Sequence, residues 1–204
     1  MIVDSYKTIR AATLFEMKAK GSRFICHAQP VGSREEAEQA VAALSRQYYD
    51  ATHNCFAYRL FWGHDEITRF NDDGEPSGTA GKPILQAIVG QNATNIVVVV
   101  TRYFGGVKLG TGGLIRAYGG VTSQTLQRAA FKTVYLTHHV ELTSAYQHFN
   151  AVMAAIDKFS GTILKSNYTE SIQLLVQLRQ SCSQNFIQYV IDSTSGQVKP
   201  SKVS

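Results

Sequence analysis

The sequence predicts an α+β protein of two domains, and three features of its patterning carry that prediction. An uninterrupted apolar run, Asn95 to Arg102 (NIVVVVTR), lies between segments of helical spacing, as expected of a strand covered on both faces. The pattern then changes near Phe131. Beyond it, the order strand, helix, strand, strand, helix suits a small ferredoxin-like βαββα unit. The 204 residues, 44% hydrophobic and 17% charged, have ordinary globular composition and can bury a sizeable core. The predicted domains are residues 1–132 and 133–204.

Each element follows from local chemistry. Ala12 to Ala19 and Ser22 to Val31 read as strands joined at Lys20-Gly21. Ser33-Arg34-Glu35-Glu36 is a capping box, and Ala37, Ala40, Val41 and Leu44 carry its helix to about Tyr49. Strands Cys55 to Phe61 and Glu66 to Asn71 follow, separated by Gly63-His64-Asp65, then a short helix from about Lys82 to Val89. After the apolar strand and a glycine-rich loop, Gly113 to Ala129 has helical spacing. The second domain reads strand (Val134 to Leu142), helix (Tyr146 to Phe159), strands (Thr162 to Tyr168, Ser171 to Arg179) and helix (Gln184 to Ile191). A short strand near Gln197-Val198 completes it, and the polar tail after Lys199 is expected to fray.

Several function classes are disfavoured. The apolar run Ile96 to Val100 is too short to span a bilayer, and Asp4 and Lys7 interrupt any signal peptide, so no membrane association is expected. The three cysteines, Cys26, Cys55 and Cys182, are too scattered for a disulfide framework or a zinc site and read as thiols of a reducing cytoplasm. No GxSxG or HExxH motif is present.

The net charge of +5 is mild, but its distribution is not. From Pro76 to Val140 there is no Asp or Glu, while Lys82, Arg102, Lys108, Arg116, Arg128 and Lys132 all fall there. Such a segment either creates a surface that attracts polyanions or disperses its cations onto acids such as Glu35, Glu36 and Glu38.

Two loops carry the chemistry. The first, Asp72 to Pro83 (DDGEPSGTAGKP), offers Asp72, Asp73 and Glu75 as carboxylates for a divalent cation or as turn formers, and Asp72 or Asp73 as a partner of Arg102 or Arg116 that locks the loops together. It is not a nucleotide-binding P-loop, because Pro76 and Pro83 stand where that motif needs Gly and Ser or Thr. The second runs from Thr101 to Tyr118, with Gly105, Gly106, Gly110, Gly112 and Gly113 between a buried strand and a helix. Glycine brings bare N–H groups close to an anion, and a helix N-terminus adds partial positive charge. Arg102, Lys108 and Arg116 are then candidate phosphate grips, with Tyr103, Phe104 and Tyr118 as stacking faces. Alternatively, the glycines serve close packing of loop on sheet. His53 reads either as half of an acid–base pair or as a hydrogen-bonded cap on the helix ending near Tyr49.

DDGEPSGTAGKPIL followed by VVVTRYFGGVKLGTGGLIRAY, with GSRFICHA and ATHNCFAY before them, resembles the IMPACT family, in particular its bacterial YigZ-like members. The resemblance covers the whole chain. It implies a first domain similar to the second domain of a small-subunit ribosomal protein, and a ferredoxin-like second domain similar to domain V of elongation factor G. Eukaryotic IMPACT proteins regulate translation by competing for the activator of the amino-acid-starvation kinase, so the resemblance implies a link to translation. Some family members are labelled proline dipeptidases, for which this chain lacks a recognisable metal-ligand set.

The expected function is that of a non-catalytic, cytoplasmic RNA- or ribosome-associated protein, a translation regulator that binds phosphate through the basic glycine loop. No cofactor and no resident metal is expected. The alternatives are a Mg²⁺-dependent enzyme acting on a phosphorylated small molecule or nucleotide, which requires the two loops to meet in one pocket, and a protein-binding module using the C-terminal sheet.

Overall fold

The computed structural model describes residues 4–60 and 66–203, so the predicted strand end at Phe61 and the turn Gly63-His64-Asp65 lie outside the described residues. The chain divides into two compact units, Tyr6–Val134 and Tyr135–Ser204, the latter including Met1–Ser5.

In the first unit, β1 (Ser5–Ile9) pairs with β7 (Phe131–Tyr135) in a two-stranded ladder. The main sheet contains β2 (Thr13–Ala19), β3 (Ser22–Pro30), β4 (His53–Leu60), β5 (Ile67–Asn71) and β6 (Ile96–Tyr103), in the order β2-β3-β6-β4-β5 and antiparallel throughout. As expected, β6 is covered on both faces. Ile96, Val98 and Val100 join the core beneath α2 (Gly81–Gly90) and α3 (Thr111–Arg128), whereas Val97 and Val99 pack with α1 (Arg34–Gln47) on the opposite face. Alternation with period two therefore serves two cores at once.

Helix α1 begins as predicted, with Ser33 Oγ accepting from Glu36 N at 3.2 Å. Glu36 reaches back to Gly32 N (2.7 Å), one residue further than a standard capping box requires. Glu38 binds Tyr58 and Arg69. Glu36 and Glu38 are thus occupied away from the acid-free segment. Among the described residues, Arg102 is the cation of that segment with an ion-pair partner.

The second unit has sheet order β11-β8-β10-β9, built from β8 (Thr137–Ser144), β9 (Thr162–Tyr168), β10 (Ile172–Arg179) and β11 (Ser201–Val203). With α4 (Phe149–Lys158) between β8 and β9, and α5 (Gln180–Ser193) after β10, this is a ferredoxin-like arrangement. Val152, Ile156, Phe186 and Val190 of the helices pack on Val140, Ile172, Leu174, Val176 and Leu178.

Four local expectations are corrected. The single strand expected from Val134 to Leu142 is two strands, β7 and β8. Strand β1 had no alternating signal long enough to be read. The last strand is Ser201–Val203 rather than Gln197-Val198, because Val198 is buried in the core while Lys202 pairs with Val140. The tail after Lys199 is accordingly ordered by a ladder. Finally, Tyr146–His148 forms a 3-10 turn before α4.

No helix of the described residues is long and apolar enough to cross a membrane. Leu126 of α3 is fully buried, whereas Leu14 on edge strand β2 is exposed. Leu126→Ala is expected to cost about 2–5 kcal/mol in urea unfolding, and Leu14→Ala within about 0.5 kcal/mol of zero.

Candidate functional site

Arg102 stands near the end of β6 with the same parity as Val98 and Val100, so its side chain falls on the α2/α3 face. In the sheet it is flanked by Phe24 of β3 and His53 of β4. Its guanidinium carbon lies 5.5 Å from the ring centres of both Phe24 and Phe104. A buried cation at this place needs an acid. Glu75 supplies it, with Arg102 NH1 donating to Oε1 at 2.6 Å and the two side chains 5% and 3% exposed. Arg102 NH2 also donates to Ser22 Oγ (3.2 Å), and Tyr118 of α3 donates its hydroxyl to the same Glu75 Oε1 (2.7 Å).

The loop that delivers Glu75 is organised by Asp72. Its carboxylate accepts three backbone N–H bonds, from Gly78 (2.8 Å), Ala80 (2.9 Å) and Gly81 (2.8 Å), and so caps α2, whose own N-cap residue, Ala80, has no polar side chain. Partial burial works to raise the Asp72 pKa, but the three donors outweigh it and the net shift is downward. Asp73 sits at φ 43° and accepts from Asn54 N at 2.6 Å. The three carboxylates are therefore engaged with separate partners. Among the described residues no three His, Cys, Asp or Glu side chains gather to hold a metal ion. Of the readings offered for Asp72, Asp73 and Glu75, the observed contacts are those of loop formers. The expected partnership of Asp72 or Asp73 with Arg102 is corrected, because Glu75 holds it.

His53 does not cap α1. Asn54 does so, donating Nδ2–H to Tyr48 O at 3.2 Å. His53 Nδ1 lies 2.7 Å from Asp73 O. A carbonyl only accepts, so Nδ1 carries the proton and Nε2 is the nitrogen left facing Glu75 Oε2, at 3.9 Å. Burial drives the Cys55 and Tyr118 pKa values far up, so neither is an activated nucleophile.

The two loops do meet. A cleft of about 400 Å³ is lined by His53, Glu75 and Pro76 on one side and by Arg102, Phe104, Lys108, Leu109, Gly110 and Thr111 on the other. The three candidate cations are separated by burial: Lys108 and Arg116 are exposed, whereas Arg102 is 4% exposed. Helix α3 opens at Gly110 with no side-chain cap and no acid in its first turn. Arg116 NH1 lies 3.5 Å from where a Cβ on Gly112 would be.

The glycines divide as well. Gly105 is a packing residue, since a Cβ there would fall 1.9 Å from Gly21 C, across the β3–β6 pairing. Gly106 (φ 85°) and Gly110 (φ 72°) occupy open space and supply the left-handed turns. At Gly113 a Cβ would meet Leu109 Cβ at 3.0 Å. A larger concavity, about 630 Å³, lies on the C-terminal sheet between Glu141, Thr143, Lys165, Asn167, Gln173 and Leu175. It lacks convergent buried charge, so the N-terminal cleft is the better candidate.

Sequence reasoning passed over Ser22, Thr52 and the Glu75–Tyr118 contact. Thr52 Oγ1 accepts from Phe104 N at 2.9 Å and fixes the start of the glycine loop. A legible signal existed for Glu75, because the parity of Arg102 in the apolar run already requires a buried acid.

Fold and site define a two-domain α+β protein with a cleft between two glycine-bearing loops of its first domain. The match to known proteins is specific. Residues 20–126 match the Impact N-terminal domain and residues 142–197 a domain of unknown function (DUF1949). The chain is 33% identical to the IMPACT family member YvyE of Bacillus subtilis, over 96% of this chain and 89% of that protein. It is also 33% identical to YigZ of Escherichia coli, over 88% of this chain and 89% of that one. The crystal structure of a hypothetical protein, 30% identical, superposes with a TM-score of 0.70 over 100% of this chain and 99% of the other. This chain belongs to the IMPACT family. The mouse protein IMPACT is 36% identical over 44% of this chain and 29% of its own length, and membership is consistent with a regulatory protein.

Three substitutions in the loops have costs that the geometry sets. A carboxylate held below its unfolded pKa contributes stability that is complete above the unfolded value, about 4, and is lost as pH falls through the folded value. Asp72→Asn is therefore expected to cost about 1.5–3 kcal/mol at pH 7 in urea unfolding, with the gap to the parent closing below about pH 4. A pH-independent gap contradicts the assignment. Gly105→Ala is expected to cost about 2 kcal/mol or more, because backbone must move. At Gly106→Ala, with open space, the cost is about 1–2 kcal/mol from the left-handed conformation alone.

Proposed function

We propose that the protein is a cytoplasmic, non-catalytic RNA- or ribosome-associated regulator of translation that contacts phosphate through the glycine loop and the first turn of α3. The observation that carries this reading is the exposure of Lys108 and Arg116 beside an uncapped helix N-terminus, in a segment free of acids from Pro76 to Val140. Backbone N–H groups at such a terminus suit an anion, and two exposed cations supply the long-range attraction. Phe104, 47% exposed at the loop's start, offers a face on which a base can stack. Arg102 acts at the floor of the site, its charge already balanced by Glu75.

The test is binding of fluorescent single-stranded RNA and of ribosomes across a salt series, with Lys108→Ala/Arg116→Ala beside the parent. Arg102 is left intact because removing it strands a buried carboxylate. The double variant is expected to bind RNA more weakly, with a log–log salt slope shallower by about 1.4, the loss of two phosphate contacts on a single strand. An unaltered slope, or no RNA binding by the parent at low salt, contradicts the proposal.

A further inference from the structure

The cleft between the loops holds more chemistry than backbone attraction needs. Its floor contains a carboxylate whose two oxygens have unequal surroundings. Glu75 Oε1 takes both Arg102 and Tyr118, while Oε2 has no hydrogen-bond donor within reach among the described residues, His53 Nε2 being 3.9 Å away. With Nδ1–H committed to Asp73 O, a neutral His53 presents its Nε2 lone pair beside Oε2. Two acceptors thus stand side by side, 3.9 Å apart and with no proton between them, in the wall of one cleft. Arg102 lines the same cleft, and its Nε, though buried, has no hydrogen-bond partner among the described residues.

Acceptors spaced this way suit a ligand that donates two hydrogen bonds from neighbouring atoms, and a vicinal diol does so, one hydroxyl to each. The opposite wall is built for different groups. Lys108, exposed on the rim, and the uncapped turn at Gly110 and Thr111 suit a phosphate, while the Phe104 ring offers an apolar face. The volume, about 400 Å³, falls in the range of small-ligand sites. Resting on the phosphate reading of the glycine loop, we propose that this cleft binds one nucleotide with a free ribose diol: the diol on His53 Nε2 and Glu75 Oε2, the phosphate at Lys108 and the start of α3. That chemistry has two sources, a free ribonucleoside monophosphate and the 3′-terminal nucleotide of an RNA.

The test uses the full chain in calorimetric titrations with adenosine 5′-monophosphate and with its 2′,3′-dideoxy analogue. In parallel, anisotropy is followed with a fluorescent RNA oligomer ending either in a free 3′ diol or in a dideoxynucleotide. The diol-bearing ligand is expected to bind about tenfold more tightly than the dideoxy one. His53→Gln and Lys108→Ala should each weaken it by about the same factor, with thermal melts of both variants matching the parent. Binding of the free nucleotide but not of the oligomer identifies the first source. Binding of the oligomer that depends on its terminal diol identifies the second. Equal affinity for diol and dideoxy ligands overturns the inference. RNA binding that depends on Lys108 and Arg116, yet ignores His53→Gln and the terminal diol, overturns it too and leaves surface contact with phosphate standing. Absence of binding to any of these ligands overturns both.

Discussion

The buried ion pair between Glu75 and Arg102 is the constraint on which the site depends. Arg102 stands one residue before the end of the most deeply buried strand of the sheet, on the face that two helices cover, where an unpaired guanidinium is costly. Its partner comes from a loop rather than from a neighbouring strand, so that loop must be held to one path. Asp72 does this with three backbone bonds, and the left-handed residues Asp73 and Gly74 turn the chain between the two acids. Tyr118 adds a helix to the same oxygen. Central strand, loop and α3 are thereby tied at one carboxylate. A pair of this kind contributes little net stability after desolvation, but it is costly to break, so it selects one arrangement over others.

The pairing also decides how the cleft treats charge. Arg102 is neutralised in place, and its side chain is almost wholly removed from solvent. The positive potential offered to a ligand therefore rests on Lys108, Arg116 and the α3 terminus, all of them in the stretch without acids. Solvated cations on a rim act at long range and yield to salt, whereas polar groups at the floor act by contact. On the proposed reading, the rim would gather an anion and the floor would discriminate its shape. Membership of the IMPACT family is consistent with a regulatory protein.

Much of the fold was legible because its signals are local. The capping box at Ser33, the double-sided apolar strand from Ile96, and the alternation of Ile172, Leu174, Val176 and Leu178 each determine an element without reference to the rest. Strands β1 and β11 were not legible, because each is short and becomes a strand only through a partner distant in sequence: β7 for the first, β8 for the second. The site divides along the same line. The two loops were found from their composition, but which acid meets Arg102 is a matter of where the Asp72 loop folds back. Asp72 and Asp73 are the partners the sequence suggests, but backbone donors claim the first and Asn54 N the second, and the pair falls to Glu75. His53 was misplaced for a related reason, since its neighbour Asn54 took the helix end.

The glycines show why a composition signal can be right about location and mixed about cause. Gly105 is required by the approach of the Gly21 turn, and a ligand has no part in that requirement. Gly106 and Gly110 face open space, and their left-handed conformations shape the path of the chain from the end of β6 to the start of α3. Close packing at the first glycine fixes where the loop leaves the sheet, and Thr52 fixes its first N–H. A loop anchored at both ends by sheet and helix loses less conformational entropy when it meets a ligand than a free glycine segment would. Packing thus explains where the glycine loop leaves the sheet, at Gly105 and Phe104, while the left-handed turn into α3 rests on Gly110 itself.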